Sequence, residues 1–411
     1  MRIILFILAC SFCAQVVRSE DRFRVDAKIN GKPARLIFDT GCSPSLVLFK
    51  PSAERLGLIY SALPPDKRRT DLESYWITDE SAVTLRWSFW SSTQVRWQLG
   101  VIEFPSYTEQ WLQMDGALGW SAVSKNIIEF DASKRKFKFL YKVPNRATRW
   151  LKLALRNNLP PEKQWLVMTV RNSDATNEVI IVDTGSVSGV GLPPHKWREW
   201  KAAHTNQPVT LVAGYMAEPG LMVQEQSWAK EISLGQLELT DVTIEEAPPM
   251  TLDAVSAEQT VTFGMSALKR LEFIVDGKQG VAYLRPKTKP AAPPHFEPNP
   301  PVLVFVPRDA KSDDLVAHVL AGGSAYEAGI RNGDVVLEID DHDVAQWRAD
   351  PGEKWRIKPD SPFITPSTNS PPGTKLELVL KRGDETLKAN VDLQAITIFA
   401  PQTNSPPSGL K

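Results

Sequence analysis

The stretch Phe38-Asp39-Thr40-Gly41-Cys42-Ser43 recurs later in the chain as Val182-Asp183-Thr184-Gly185-Ser186. Each copy follows an apolar run, residues 36–38 in the first and 179–182 in the second, and such runs are typical of buried strands. The two Asp residues lie 144 positions apart in a chain of 411 residues. The repeat predicts two copies of one strand-rich unit, each with Asp-Thr-Gly at the end of a strand.

Two further features repeat in the same order at nearly the same spacing. The matched pairs are Ala117-Leu118-Gly119 with Thr262-Phe263-Gly264, and the strand-like residues 127–140 with residues 271–284. Between these landmarks, alternating apolar and polar residues predict short strands, and helix is expected only near 52–58 and 194–202. We therefore predict a mainly β fold class with two related lobes, residues 20–150 and 151–287.

A proline-rich stretch separates these lobes from the rest of the chain. Residues 286–301 contain seven prolines, which cannot donate backbone hydrogen bonds and so favour a stiff, extended linker, placed at 288–300. The strand-like segments that follow predict a third domain over 301–396. The last residues, 397–411, are predicted to be a flexible tail.

The N-terminus has the features of a secretory signal peptide. Arg2 precedes the apolar run 3–9, and small residues surround a predicted cleavage point after Ser19. Two alternatives stay open, a buried N-terminal strand and a lipoprotein-like site at Cys10. Export would place the protein in the periplasm or outside the cell. It would also leave Cys42 as the one cysteine of the mature chain, so no internal disulfide could form.

The balance of charge argues against two classes of partner. The chain has 48 Lys and Arg residues against 48 Asp and Glu residues, with 42% hydrophobic residues, as in an ordinary folded protein. A net charge of zero supplies no long-range field that would attract phosphate backbones or anionic lipids. The N-terminal apolar run is too short to cross a bilayer. We therefore expect no nucleic-acid partner and no membrane span.

Two acids that end strands in a repeated unit point to hydrolytic chemistry. Two carboxyl groups that share one proton can deprotonate a water and polarise a scissile carbonyl without a metal. Gly41 and Gly185 allow a sharp turn and a close approach of backbone N–H groups to the acids. The hydroxyls of Thr40 and Thr184 could cross-link the two turns. Two coincidental Asp-Gly turns are the alternative interpretation of the same residues.

These motifs resemble those of the pepsin-like and retropepsin-like aspartic proteases over about residues 21–287. The resemblance implies a bilobal pepsin-like fold and an aspartic-type endopeptidase, in which Asp39 and Asp183 are catalytic and share the nucleophilic water. It also implies an extended polypeptide substrate, no metal or organic cofactor, and catalysis by a monomer, because both acids lie on one chain. The residues expected to support the acids are Thr40, Gly41, Ser43, Thr184, Gly185 and Ser186.

The sequence departs from this family in three places. Cys42 stands where Ser or Ala is usual, and it is interpreted either as a small packing group or as a redox-active thiol. No Tyr-Gly flap motif is visible, although Tyr75 and Trp76 lie where a flap hairpin is expected and are candidates for flap or substrate contacts; core or surface aromatics are the alternative. The disulfides of pepsin are missing too. These departures favour a bacterial relative.

The third domain contains a stretch similar to PDZ domains. Residues 323–336, which include Glu327-Ala328-Gly329 and Asn332-Gly333-Asp334, resemble the strand, short helix and strand of that family. The resemblance implies a PDZ-like β/α domain that binds a peptide or protein partner as an added strand. The carboxylate-binding loop is not recognisable near residues 302–306, so a packing or cleft-covering role stays open.

Other functions have less support from the sequence. The five histidines show no metal-binding spacing, so no metal site is predicted. Ser188 lies one position away from the Gly-x-Ser-x-Gly pattern of a nucleophilic serine. The function that competes with the peptidase is a catalytically inactive peptide-binding or scaffold protein of the cell envelope. Such a scaffold would not require both acids.

Overall fold

The computed structural model describes residues 22–62, 74–77, 85–87, 90–92, 99–102, 114–157, 159, 164–171, 177–216, 220–247, 260–287, 302–308, 312, 314–344, 355–356, 365–366 and 371–394. The predicted signal peptide (1–19), linker (288–300) and tail (397–411) lie outside the described residues. None of the helices in the described part of the chain has the length and apolar character that a bilayer crossing requires.

Strands dominate the described residues, so the predicted mainly β class is confirmed. The strands before residue 150 are β1 Arg24–Ile29, β2 Lys32–Asp39, β3 Leu46–Phe49, β4 Tyr60–Ala62, β5 Ser74–Ile77, β6 Leu85–Trp87, β7 Trp90–Ser92, β8 Leu99–Ile102, β9 Gly116–Gly119, β10 Ile127–Asp131 and β11 Lys136–Leu140. Those from 151 to 286 are β12 Leu151–Leu155, β13 Leu166–Arg171, β14 Asn177–Val182, β15 Val190–Leu192, β16 Thr210–Met216, β17 Gly220–Leu234, β18 Leu237–Glu246, β19 Thr260–Phe263, β20 Leu271–Asp276 and β21 Val281–Pro286. The C-terminal strands are β22 Leu303–Pro307, β23 Leu315–Val319, β24 Val335–Ile339, β25 His342–Asp343, β26 Trp355–Arg356, β27 Thr365–Pro366, β28 Lys375–Arg382 and β29 Glu385–Asp392.

Helices are short in the described residues. They are α1 Lys50–Leu56, α2 Pro194–Ala203, α3 Met265–Leu268 and α4 Ser324–Glu327, with 3-10 turns at Trp120–Ala122 and Asn145–Arg149. Helix α1 begins two residues before its predicted position because Pro51 is accommodated in the first turn. It ends where Gly57 adopts a positive φ of 73° and its N–H bonds back to the last turn.

The two lobes share one strand order. The first lobe forms a seven-stranded sheet, β1-β2-β9-β3-β8-β5-β4, and seven consecutive strands of a 12-stranded sheet run β13-β14-β19-β15-β18-β17-β16. In each lobe the strand that leads into Asp-Thr-Gly is parallel to the strand of the downstream Gly motif, β2 to β9 and β14 to β19. The strand that follows Asp-Thr-Gly is antiparallel to the strand of the downstream Gly motif, β3 to β9 and β15 to β19. The sequence repeat is therefore a repeat of topology.

Strands β10 and β20 join the lobes into one structure. They pair antiparallel, with Ile127 opposite Asp276 and Phe130 opposite Phe273, so equivalent strands meet across an approximate two-fold axis. The Phe130 ring stacks on Phe38 at 5.9 Å and on Phe273 at 5.2 Å between centroids. Buried residues of both lobes belong to one core. This shared core fixes β2 relative to the second lobe, because interiors are close-packed.

The C-terminal unit has its own sheet and core. Its strand order is β22-β23-β24-β28-β29, with β25 paired to β24. Leu303 and Phe305 of β22 lie in its core, among residues of the other main strands and α4. Asp334 is 1% exposed and accepts two hydrogen bonds of 2.7 Å from the Arg382 guanidinium. This pair ties the turn before β24 to the end of β28.

Candidate active site

Backbone N–H groups orient both acids. Strand β2 ends at Asp39 and β14 ends one residue before Asp183. The N–H of Gly41 donates to Asp39 Oδ1 at 2.8 Å, and the N–H of Gly185 donates to Asp183 Oδ1 at 2.9 Å. Ser186 N–H also donates to Asp183 Oδ1, at 3.1 Å. Each turn thus folds back on its own carboxyl group and fixes the direction of that group.

The two threonines join the turns by reciprocal hydrogen bonds. Thr40 N–H donates to Thr184 Oγ1 at 3.0 Å, and Thr184 N–H donates to Thr40 Oγ1 at 3.1 Å. Each hydroxyl in turn donates to a carbonyl oxygen of the other lobe, Thr40 to Val182 at 2.5 Å and Thr184 to Phe38 at 2.6 Å. All of these groups are buried. The network holds the two acid-bearing strand ends in one geometry.

The glycines bring each acid against the opposite turn. A Cβ on Gly185 would lie 2.5 Å from Asp39 Cγ, and a Cβ on Gly41 would lie 2.7 Å from Asp183 Cγ. Both distances are too short for any side chain, so a larger residue would displace the acid of the other lobe. The two carboxyl groups therefore face each other across the lobe junction.

Burial and proximity change the protonation of the pair. Asp39 is 0% exposed and Asp183 is 4% exposed. Burial raises the pKa of Asp39 to about 6, partly offset by hydrogen bonding with Asp183 and by other nearby groups. Burial also raises the pKa of Asp183 well above its usual range, and the adjacent charge of Asp39 raises it further. Both features fit two carboxyl groups that share one proton.

Arg22 is a charged neighbour that sequence reasoning missed. Its side chain is 2% exposed, and its positive charge lowers the pKa of Asp39 against the larger, opposite effect of burial. The pairing of β1 with β2 would have indicated that Arg22 lies near Asp39. Arg24 of β1 is opposite Ile37 of β2, so the residue two before Arg24 extends toward the residue two after Ile37.

Gly119 and Gly264, the glycines of the downstream motifs, lie against the segments that follow the Asp-Thr-Gly turns. Gly119 N–H donates to Ser45 O at 3.0 Å, and Gly264 N–H donates to Gly189 O at 3.0 Å, so the same contact occurs in each lobe. A Cβ on Gly119 would lie 1.8 Å from a backbone oxygen, that of Pro44. Only glycine allows the strand to pass this close to the turn.

The remaining candidates lie around these turns. Ser43 is buried, and its carbonyl oxygen accepts a hydrogen bond of 3.0 Å from the Ser121 hydroxyl. The Ser186 hydroxyl is 2.7 Å from the Ser188 hydroxyl, and both serines are buried. Ser188, which nearly fits the Gly-x-Ser-x-Gly pattern, is therefore a hydrogen-bonding partner of the turn. Cys42 forms no disulfide with another described residue, and it is 0% exposed. Its burial supports the packing interpretation over the redox one.

Tyr75 and Trp76 lie on β5, away from the Asp-Thr-Gly turns in the strand order. Backbone pairing places them between β4 and β8, with Trp76 opposite Ser61 on one side and opposite Gly100 on the other. They therefore belong to a hairpin-like edge of the first lobe. Among the described residues, no group of three or more His, Cys, Asp and Glu side chains is arranged to hold a metal ion.

Among solved structures, the chain is similar to the crystal structure of an aspartic proteinase from Irpex lacteus. The TM-score is 0.38 and the sequence identity 11%, and the similarity covers 70% of this chain and 100% of that chain. No protein-family model matches the chain, and no curated protein sequence matches it.

The buried acids make stability depend on pH. An acid whose pKa is raised in the folded state, here from 3.8 to about 6 for Asp39, stabilises the fold fully below the unfolded value. That contribution is lost as the pH rises through the folded value. We expect Asp39→Asn to gain stability relative to the wild type between pH 4 and pH 7, by on the order of 2 kcal/mol.

Urea unfolding of both proteins across this pH range measures the difference. Asp26→Asn, on the exposed side of β1, is the matched control and should retain the wild-type pH dependence. Parallel curves for the wild type and Asp39→Asn would contradict the raised pKa.

Proposed function

We propose that this protein is an aspartic-type endopeptidase that hydrolyses peptide bonds on a bilobal pepsin-like fold. The observation that carries the proposal is the reciprocal contact of Asp39 and Asp183, each held by the N–H groups of its own turn and pressed against the glycine of the other. Two coincidental turns would need neither the matched topology nor the cross-linked threonines. Both features are expected of a site that must hold two acids together.

The proposed mechanism uses one proton shared by the two acids. Ionised Asp39 removes a proton from water, and the water oxygen attacks the carbonyl carbon of the scissile amide. Protonated Asp183 donates its proton to the carbonyl oxygen, so no charge accumulates there. Asp39 then gives its proton to the amide nitrogen as the C–N bond breaks, and ionised Asp183 takes a proton back from one hydroxyl of the gem-diol intermediate. This leaves the product carboxylic acid and restores the starting protonation of the pair. Arg22 favours the ionised form of Asp39, and the charge of Asp39 favours the protonated form of Asp183.

The proposal extends to the substrate, the location of the protein and the role of its C-terminal unit. An extended polypeptide is the proposed substrate, and one chain is the catalytic unit because it carries both acids. The N-terminal segment is proposed to direct export to the periplasm or the extracellular space of a bacterium. The C-terminal unit is proposed to be a PDZ-like domain, with a short helix, α4, between strands β23 and β24. Tyr75 and Trp76 are proposed to contribute to a flap over the substrate.

Cleavage of an unbiased peptide library tests the proposed activity. The full-length protein is incubated with the library from acidic to neutral pH, and mass spectrometry identifies every new terminus. We expect internal cleavage of extended peptides that a statine-type transition-state analogue inhibits. Absence of cleavage at every pH, with the protein folded, would overturn the peptidase proposal and support the scaffold instead.

Arg22 gives a prediction about the pH profile of cleavage. Without the positive charge, Asp39 should ionise at higher pH, so in Arg22→Met the acidic limb of the kcat/KM profile should move toward higher pH. Arg24→Met, two residues along β1 on its exposed side, is the matched control. Identical acidic limbs in all three proteins would show that Arg22 does not act on the dyad.

A further inference from the structure

Strand β22 is buried on both faces although it is the edge strand of its sheet. All five of its residues are buried, and Leu303 and Phe305 point into the core of the C-terminal unit. Val304 and Val306 alternate with them and so project from the opposite face. They are 0% and 4% exposed, yet they are not members of that core. Something outside the core of the unit therefore covers them.

The hairpin formed by β16 and β17 of the second lobe lies against β22. Both of its strands contact β22, and β27 of the C-terminal unit also lies beside β22. Leu211 and Ala213 of β16 are 8% and 4% exposed and are not part of the main core of the lobes. Each of the two contacting strands thus carries apolar side chains that are buried outside these two cores, and burial of apolar surface is the main favourable contribution to association.

The contact joins the terminal strands of two sheets. Strand β16 is the last strand of the 12-stranded sheet, and β22 is the first strand of the C-terminal sheet. Natural proteins commonly cover terminal strands with other elements of the structure. The contact between β16 and β22 is of this kind.

The place of the hairpin in the lobe connects it with the proposed cleft. In the shared strand order, β16 and β17 occupy the positions that β4 and β5 occupy in the first lobe. The strand β5 carries Tyr75 and Trp76. The approximate two-fold axis between the acids therefore relates the hairpin β16–β17 to the candidate flap. An element at this place affects how wide the space between the lobes can open.

We propose that the C-terminal unit docks in cis on the hairpin β16–β17 through Val304 and Val306, and that this contact holds the hairpin as a fixed wall of the cleft. Its effect on cleavage rests on the proposed peptidase function, whereas the docking itself does not. A wall that is already ordered costs less conformational entropy when a peptide binds. Docking should therefore lower KM more than it raises kcat.

The double variant Val304→Asp/Val306→Asp tests the docking in the full-length protein. Two carboxylates in the contact should separate the unit from the hairpin, because burying an unpaired charge is costly. Small-angle scattering should then show a radius of gyration larger by about 2 Å or more. Leu337→Asp, which places a charge on an exposed side chain of the same sheet, should leave the radius unchanged. An unchanged radius in the double variant would overturn the docking.

Two measurements keep misfolding and inactivity from confusing the result. Val306→Thr, nearly isosteric and uncharged, should give a smaller increase in radius, and circular dichroism should show native strand content in every variant. For peptide cleavage, the double variant should raise KM about fivefold with kcat changed less than twofold. A larger radius with unchanged KM would overturn the effect on the cleft. If the wild type cleaves no peptide, the proposed function fails while the scattering comparison still decides the docking.

Discussion

Replacement of Asp39 or Asp183 by Asn should lower kcat/KM for peptide cleavage by at least about 1000-fold in each variant. An amide cannot take a proton from water as a carboxylate does, nor can it give one to the carbonyl oxygen. Because Asn is close to Asp in shape, Gly41 and Gly185 can still donate to its side-chain oxygen, so the fold should survive. The measurement is steady-state cleavage of the best library peptide at the optimum pH of each protein.

The exposed variant Asp26→Asn again provides the control, and it should retain wild-type activity. The losses in Asp39→Asn and Asp183→Asn should not add in the double variant, since the two acids act as one unit. Activity above a tenth of the wild-type value in either single variant would show that the missing acid is not part of the catalytic pair.

Removal of the Thr184 hydroxyl should produce a large loss of stability. Thr184→Val deletes the bond to Phe38 O and the acceptor for Thr40 N–H, and both partners would then be buried without a hydrogen bond. Each orphaned group costs about 1–3 kcal/mol, so a loss of about 3 kcal/mol in the free energy of unfolding is expected. Urea denaturation at a single pH measures it.

Two further variants show whether the hydroxyl is responsible. Thr184→Ser keeps the oxygen and should recover most of the stability. Thr148→Val removes a hydroxyl bond at an exposed turn, to Asn145 O, and should cost less than about 0.5 kcal/mol. If Thr184→Val loses no more stability than Thr148→Val, the cross-link does not hold the lobes together.

Local patterns predicted the elements around the site well. The apolar runs before each Asp-Thr-Gly became β2 and β14, and the predicted helix at 194–202 became α2 Pro194–Ala203. These succeed because strand periodicity and helix starts are encoded by residues within a few positions of each other. Helix α1 begins two residues early, which is the usual uncertainty of helix ends.

Contacts between distant segments were not accessible in this way. No local pattern in the sequence indicates that β22 contacts the hairpin β16–β17 of the second lobe. This contact depends on how sheets pack, and packing is decided by shape over the whole core. The approach of Arg22 to Asp39 is different, because it follows from the pairing of the adjacent strands β1 and β2. The roles of the predicted site residues likewise stay predictions until the variants above are measured.

By itself the sequence determined the mainly β class, the repeat of one unit, and the positions of two acids at strand ends next to glycine. Only the tertiary structure decided that Thr40 and Thr184 bond reciprocally, and that each acid lies against the other turn. It also decided the raised pKa of both acids, because desolvation depends on burial. The physical reason is distance: hydrogen bonds act over about 3 Å and charge interactions weaken as the distance grows, and only folding brings residues 144 positions apart that close.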